Sequence, residues 1–287
     1  MAASVNTVHP IGISLGSGPV SALPARLAEC AALGLRGIEI GGMTGDVIID
    51  GALQKGVMRE IRRICADHPF RYTVHCNDAQ KLRDDLYASV HRRVCLAGLD
   101  LAAEIGAEVF VAHYSARSAD PVIEARFERT MLEMADAAAE RKVILGVENI
   151  ENEPIESVLD FLERSPHPAM AFTLDFGHAW LTHRHFGGSM EAQLERARPF
   201  LRHMHIHDNA GRYDPDRLQN RQKPLRDRLP LGIGDLHLCP GWGSIPFPRL
   251  LPLTGSGYRG IYMMEHSVGT DAASMREAMD LIESCLS

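Results

Sequence analysis

Short apolar runs alternate with longer amphipathic segments along most of this 287-residue chain. The short runs are rich in β-branched residues, which favours strands, and the longer segments repeat their apolar positions with helical spacing. The first two strands are predicted at 11–15 and 36–40. Helices are predicted at 23–33, 53–67, 86–105, 121–141, 154–164, 189–197 and 271–286. This alternation predicts an α/β fold in which a parallel sheet is covered by helices.

Six later apolar runs end at, or just before, a side chain that can bind a metal ion. These side chains are His75, His113, Glu148, Asp175, His205 and Glu265. Most neighbours in this series lie about 30 to 40 residues apart, near the repeat expected if about 250 residues build eight β/α units. TIM barrels place their active sites at the C-terminal ends of the strands. The spacing therefore predicts a single (β/α)8 TIM barrel over residues 1–287, with a metal centre at one rim.

The segment 207–246 differs from the rest of the chain because it is rich in Pro, Gly and Arg. We interpret it as a long loop insertion between the seventh and eighth barrel strands, and such loops are usually functional or disordered. Within 212–228, six basic residues (Arg212, Arg217, Arg221, Lys223, Arg226 and Arg228) stand against three acids (Asp214, Asp216 and Asp227). Two interpretations are open: a solvated lid or subunit contact, or a mobile flap that attracts a phosphate or carboxylate on a substrate.

The composition limits the class of protein. A hydrophobic fraction of 45% and a charged fraction of 23% are ordinary for a soluble globular chain. No apolar stretch reaches the roughly 18 residues that span a bilayer, and the N-terminus lacks the pattern of a signal peptide. The six cysteines form no Cys-x-x-Cys pair, so a reducing cytoplasm is expected. The net charge of −7 argues against a nucleic-acid partner.

Three further residues lie at spacings that suit metal ligands. His178 follows Asp175 by three positions, so both can face the barrel mouth if a helix begins between them. Asp235 and His237 are two positions apart, so both would face one side of an extended backbone. With the six strand-end residues they make five histidines and four carboxylates.

This mixture of imidazole and carboxylate suits Zn²⁺, Mn²⁺ or Fe²⁺ rather than Ca²⁺, and the lack of thiolates argues against a structural zinc site. Nine ligands are too many for one ion, but with Glu148 as a bridge they could hold two or three. The alternative is that single members are structural, with Glu148 in a buried ion pair and Asp175 capping the next helix. His207 would share a face with His205, but we do not count it among the predicted ligands.

At these residues the chain resembles the xylose isomerase-like TIM-barrel superfamily, which contains sugar isomerases and epimerases and the endonuclease-IV-type AP endonucleases. The resemblance covers nearly the whole chain, from Ile11 to the C-terminal helix. It rests on Gly146-Val147-Glu148-Asn149, Leu174-Asp175-Phe176-Gly177-His178, Met204-His205-Ile206-His207-Asp208, Asp235-Leu236-His237 with Gly241 and Gly243, and Gly257-Tyr258-Arg259-Gly260 with Glu265. The order and spacing of these short motifs are together specific.

The endonuclease pattern implies three ions. The first would be bound by His75, His113 and Glu148, the second by Glu148, Asp175, His205 and Glu265, and the third by His178, Asp235 and His237. Sugar isomerases and epimerases of the superfamily generally keep only the second set, whose two glutamates also move protons.

Against a DNA-repair enzyme, the segment 76–80 has no aromatic residue, whereas the family's endonucleases probe DNA there with a tyrosine-containing loop. The resemblance therefore implies an isomerase or epimerase that uses one to three Zn²⁺ or Mn²⁺ ions and acts on a small sugar, sugar phosphate or sugar acid. Glu148 and Glu265 would act as base and acid on a metal-stabilised enediolate. His178 and Arg212 would orient substrate hydroxyls, and Trp242 would cover the apolar face of the sugar.

Two other activities remain open, namely an endonuclease-IV-like zinc phosphoesterase and a dehydratase or lyase that uses the same enediolate. Barrels of this superfamily often pair, so a homodimer is one expectation. No membrane partner is expected.

Overall fold

The computed structural model describes residues 9–76, 81–216, 223–255 and 257–287, and within these ranges eight parallel strands close into a barrel. In chain order the strands are β1 (Ile11–Ser14), β2 (Gly37–Gly41), β3 (Ile48–Ile49), β4 (Ala52–Leu53), β5 (Arg71–His75), β6 (Val109–His113), β7 (Ile144–Glu148), β8 (Met170–Asp175), β9 (Leu201–Ile206) and β10 (Tyr262–Met264). β3 and β4 form a separate antiparallel hairpin, and β10 pairs with β1 to complete the barrel. The predicted TIM barrel is confirmed.

Helices follow the barrel strands, as the alternation predicts. They are α1 (Leu23–Leu33), α2 (Lys55–Ala66), α3 (Ala88–Ile105), α4 (Pro121–Arg141), α5 (Ile155–Arg164), α6 (Phe176–Phe186), α7 (Met190–Ala197), α8 (Leu225–Arg228), α9 (Phe247–Leu250) and α10 (Ala272–Leu286). Three predicted helices start one residue early, because Pro154, Ser189 and Asp271 are their N-caps. The side chains of Ser189 and Asp271 accept backbone N–H groups of the first turn. No helix in the described part of the chain is long and apolar enough to cross a membrane.

The strand register sets which side chains face the inside of the barrel. Side chains alternate between the two faces of a strand, and paired positions of parallel neighbours share a face. His113 pairs with Glu148, and Asp175 pairs with His205. The intervening apolar residues face the helices, where Val147 and Leu174 are fully buried. The core therefore lies between barrel and helices, and the polar residues lie inside the barrel at its C-terminal rim.

The long connection between β9 and β10 contains α8, α9 and two short 3-10 helices, Leu229–Leu231 and Leu251–Thr254. An isolated β-bridge between Asp208 and Leu238 ties its middle to the end of β9. Arg217 and Arg221 of the basic segment lie outside the described residues, as does 77–80 of the segment without an aromatic residue.

Candidate metal centre

Glu148 lies at the centre of the convergent side chains and has no solvent exposure. Its Oε1 atom is 3.2 Å from Nδ1 of His205. Its Oε2 atom is 3.1 Å from Nε2 of His75 and 3.4 Å from Nε2 of His113. Three imidazoles from three different strands thus surround one carboxylate.

Asp175 and Glu265 approach the same nitrogen of His205. Oε2 of Glu265 is 3.3 Å from His205 Nδ1, and Oδ2 of Asp175 is 3.8 Å from it. Metal–ligand bonds of about 2.0–2.2 Å place neighbouring ligand atoms roughly 3.0–3.4 Å apart. With Glu148, these residues offer four ligand atoms that all lie within 4.8 Å of one another. The structure therefore brings together the four residues expected to hold the second ion.

Asp175 also caps a helix, so the two interpretations of this residue are compatible. Its Oδ1 atom accepts the backbone N–H of His178 at the start of α6, while Oδ2 faces His205. Asn149 fixes the same strand end, because its side chain exchanges two hydrogen bonds with the backbone of Asp175.

Asp235 joins His178 and His237 in a second group. Its Oδ2 atom is 3.3 Å from Nε2 of His178 and 2.8 Å from Nε2 of His237. The prediction of extended backbone at this element is wrong, because His237 has a φ of 46°, in the left-handed region. The side chains still meet, since His237 donates from Nδ1 to the carbonyl oxygen of Glu265 at 2.6 Å.

The electrostatics of the central group fit a divalent cation. Burial would raise the pKa of Glu148, but His205 and His113 hold it well below its usual value. Burial would lower the pKa of His205, but Glu265, Glu39 and Glu148 raise it well above its usual value. Carboxylates and protonated imidazoles therefore compensate one another in the metal-free protein, and a cation would displace the imidazole protons.

Backbone carbonyls orient two of the histidines. Nδ1 of His75 contacts the carbonyl oxygen of Cys76 at 2.7 Å, and Nδ1 of His178 contacts that of Asn149 at 2.9 Å. A carbonyl only accepts, so these Nδ1 atoms donate hydrogen bonds, and without a metal ion the Nε2 atoms donate to the carboxylates of Glu148 and Asp235. Loss of the Nε2 protons to a cation would leave the tautomer that a metal ligand requires.

Glu39 belongs to the site and was missed in the sequence. It is fully buried on β2, and its Oε2 atom lies 3.1 Å from Nε2 of His203 and 3.2 Å from Nε2 of His205. The Thr73 hydroxyl donates to the same oxygen at 3.0 Å. The sequence feature that could have indicated Glu39 is a carboxylate inside an apolar strand, because a buried carboxylate needs a hydrogen-bonding or charged partner. Its place behind His205 is typical of the carboxylates that orient metal-binding histidines.

A family model described as a xylose isomerase-like TIM barrel matches residues 27–285. The chain belongs to this family. A search of curated protein sequences finds no significant match.

Solved structures with the same fold cover nearly the whole chain. A xylose isomerase domain protein from Planctomyces limnophilus aligns with a TM-score of 0.72 at 16% identity, over 96% of each chain. A xylose isomerase-like TIM barrel protein from Mycobacterium smegmatis, solved in complex with magnesium, gives 0.70 at 15% identity over 98% of each. The 3-keto-D-glucoside 4-epimerase of E. coli gives 0.70 at 16% identity, over 96% of this chain and 100% of its own. At such identities the similarity establishes the fold.

Two residues predicted to bind substrate have other contacts in this xylose isomerase-like barrel. Arg212 is exposed and donates to the carbonyl oxygen of Leu231. Trp242 is 49% exposed, and its ring lies beside Gly269. Their roles in substrate binding stay predictions.

Asp208 holds the loop that carries Gly241 and Gly243. It is buried and accepts four backbone N–H groups, from Asn209, Gly241, Gly243 and Ile245, at 2.8–3.1 Å. Each carboxylate oxygen serves two donors. The carboxylate thus fixes the chain that follows His237, which is how it positions the second group.

Asp208→Asn is expected to lower the free energy of unfolding by about 2–4 kcal/mol, because the new amide NH₂ leaves two buried N–H groups without an acceptor. Urea denaturation measures the change. Asp216→Asn, at an exposed position of the same connection, is the control and should leave the midpoint unchanged. Equal midpoints for both variants would contradict the structural role of Asp208.

Proposed function

We propose that this chain is a divalent-metal-dependent isomerase or epimerase that acts beside the carbonyl group of a sugar, sugar phosphate or sugar acid. The observation that carries the proposal is the placement of Glu148 and Glu265 about one nitrogen of His205, at 3.2 and 3.3 Å. Two carboxylates at one small centre can exchange a proton with a carbon held between them. The epimerases among the structural neighbours support this choice.

Glu148, Asp175, His205 and Glu265 would hold the ion, which supplies positive charge that lowers the cost of an enediolate. Three carboxylates and one imidazole form an oxygen-rich set, which favours Mn²⁺ over Zn²⁺ at this position.

The two glutamates differ in environment, which suits opposite roles. The Glu265 side chain is 19% exposed, whereas that of Glu148 is fully buried. Burial raises the pKa of Glu265 more than His205 and His237 lower it, while the pKa of Glu148 is held well below its usual value. In the protein without a metal ion, Glu148 is therefore the carboxyl that is held ionised and Glu265 the one that more readily keeps a proton, and solvent access at Glu265 lets it exchange that proton with water.

Deuterium exchange tests the proposal. The Mn²⁺-loaded protein in D₂O is incubated with D-fructose, D-tagatose, D-psicose and their phosphates, and NMR follows the hydrogen beside the carbonyl. We expect wash-in of deuterium with at least one substrate and formation of its isomer or epimer. Loss of water or carbon–carbon cleavage after exchange would indicate a dehydratase or lyase instead.

One observation favours the second candidate, an endonuclease-IV-like phosphoesterase. His75 and His113 converge on Glu148, as a further ion at that carboxylate would require. The same protein, loaded with Zn²⁺, is therefore assayed on DNA that contains an abasic site. Nicking of this DNA without sugar exchange would overturn the isomerase proposal.

A further inference from the structure

His207 lies in the second group, beside Asp235 and His237, although the endonuclease pattern implies only three ligands for that group. It is fully buried one residue beyond β9. Its ring stacks on that of His237, with centroids 3.9 Å apart and an interplanar angle of 10°. Its Nδ1 atom is 3.9 Å from Oδ1 of Asp235.

The tautomer of His207 leaves a lone pair aimed at Asp235. Nε2 of His207 is 3.1 Å from both oxygens of Asp175, and an ionised carboxylate only accepts hydrogen bonds. Nε2 therefore carries the proton, and Nδ1 is an acceptor. Among the residues that the structure describes, neither His207 Nδ1 nor Asp235 Oδ1 has a hydrogen-bond partner, and both atoms are buried. Two buried acceptors that face one space call for a cation.

The distances suit a tetrahedral ion. Zinc–nitrogen and zinc–oxygen bonds of about 2.0–2.1 Å put neighbouring ligand atoms roughly 3.3 Å apart. Oδ2 of Asp235 is 2.8 Å from Nε2 of His237 and 3.3 Å from Nε2 of His178. Oδ1 of Asp235 is 3.9 Å from Nδ1 of His207. One atom from each of the four residues lies within 4.8 Å of the others. Three imidazoles with one carboxylate suit Zn²⁺ better than Mn²⁺.

We infer that His207 is the fourth protein ligand of a Zn²⁺ site formed with His178, Asp235 and His237, and that this ion is structural. Catalytic zinc sites keep a coordination position open, whereas four protein ligands close the tetrahedron. His207, the third imidazole and fourth ligand, completes the coordination that thiolates complete in most structural zinc sites. The inference rests on the proposed function in one respect, namely that the reaction takes place at the central site.

The ion would fasten the connection between β9 and β10 to the barrel. Asp235 and His237 belong to no helix or strand, whereas His178 lies in the first turn of α6 and His207 adjoins β9. Arg228, at the end of α8, donates to the carbonyl oxygen of Asp235 at 3.0 Å. Anchoring Asp235 would therefore hold α8 and its neighbours in place.

Zinc retention in full-length variants tests the assignment. Each protein is loaded with Zn²⁺, and metal analysis follows the ions that remain during dialysis against a chelator. We expect the wild type and the central-site variant Glu148→Gln to keep one slowly released Zn²⁺. We expect His207→Ala to bind that ion at least about 100-fold more weakly, since even partners outside the coordination sphere change affinity by 10–100-fold. Trypsin should then cleave 223–237 faster.

Two more variants distinguish the loss of a zinc ligand from misfolding. Gly177→Ala removes no ligand, but its Cβ would overlap the His207 ring, so it should release zinc as His207→Ala does. His266→Ala removes a buried histidine outside the group and should retain the ion. Wild-type retention by both His207→Ala and Gly177→Ala would overturn the inference, as would a wild type without a slowly released ion. Lack of sugar exchange would affect only the proposed function.

Discussion

Replacing Glu148 with glutamine is expected to abolish deuterium exchange, with the rate falling at least about 1000-fold, within the range that a general base contributes. Glutamine keeps the shape of the side chain but removes the charge that His75, His113 and His205 surround. The variant therefore loses both a proton acceptor and an anionic metal ligand. NMR of the hydrogen beside the carbonyl, at saturating Mn²⁺, gives the rate.

A matched substitution at the surface separates this effect from a general loss of charge. Glu163→Gln removes a carboxylate that pairs with Arg196 between α5 and α7, and it should leave the rate within about twofold of wild type. A general base contributes at least about 100-fold to the rate. If Glu148→Gln keeps more than about a tenth of the wild-type exchange rate, the loss is smaller than this contribution, and Glu148 is not the base.

Glu39→Gln is expected to weaken Mn²⁺ binding at the central site by about 10–100-fold, the usual effect of losing a carboxylate behind a metal-binding histidine. Nε2 of His205 lies 3.1 Å from Glu39, while its Nδ1 faces Glu148 and Glu265. Without the negative charge at Nε2, Nδ1 becomes a poorer electron donor. Mn²⁺ titration followed by electron paramagnetic resonance measures the Kd.

Recovery at high metal concentration distinguishes this positioning role from simple misfolding. With Mn²⁺ in excess, kcat of Glu39→Gln should return to near the wild-type value, because we expect Glu39 to act through His205 and not on the substrate. Thr73→Val is the control, since it removes one hydrogen bond to Glu39 without changing charge, and its Kd should shift by less than about threefold. A wild-type Kd for Glu39→Gln would contradict the role.

The strand-end residues could be predicted because each follows an apolar run, and parallel strands that close a barrel place all such ends at one rim. Glu39 could not be found this way. It lies within its strand, and its partners His203 and His205 are 164 and 166 residues away. Which remote strands meet across the barrel interior depends on the closed register, which local patterns do not encode.

The connection between β9 and β10 shows the same limit at the backbone level. The spacing of Asp235 and His237 suggests that their side chains lie together, and they do, but the extended conformation is wrong. His237 is held instead by the segment after β10, since the backbone N–H of Ser267 donates to its carbonyl oxygen. Likewise, the basic composition does not reveal that Arg212 and Arg228 donate to loop carbonyls.

Anomalous scattering from crystals of the protein grown with Mn²⁺ would locate the ion directly. We predict a peak bonded to Glu148, Asp175, His205 and Glu265, at the point where their oxygen and nitrogen atoms converge, which is the proposed metal site. Absence of any peak among these four residues at saturating Mn²⁺ would contradict it, because the proposed proton transfer would then have no cation to stabilise the enediolate.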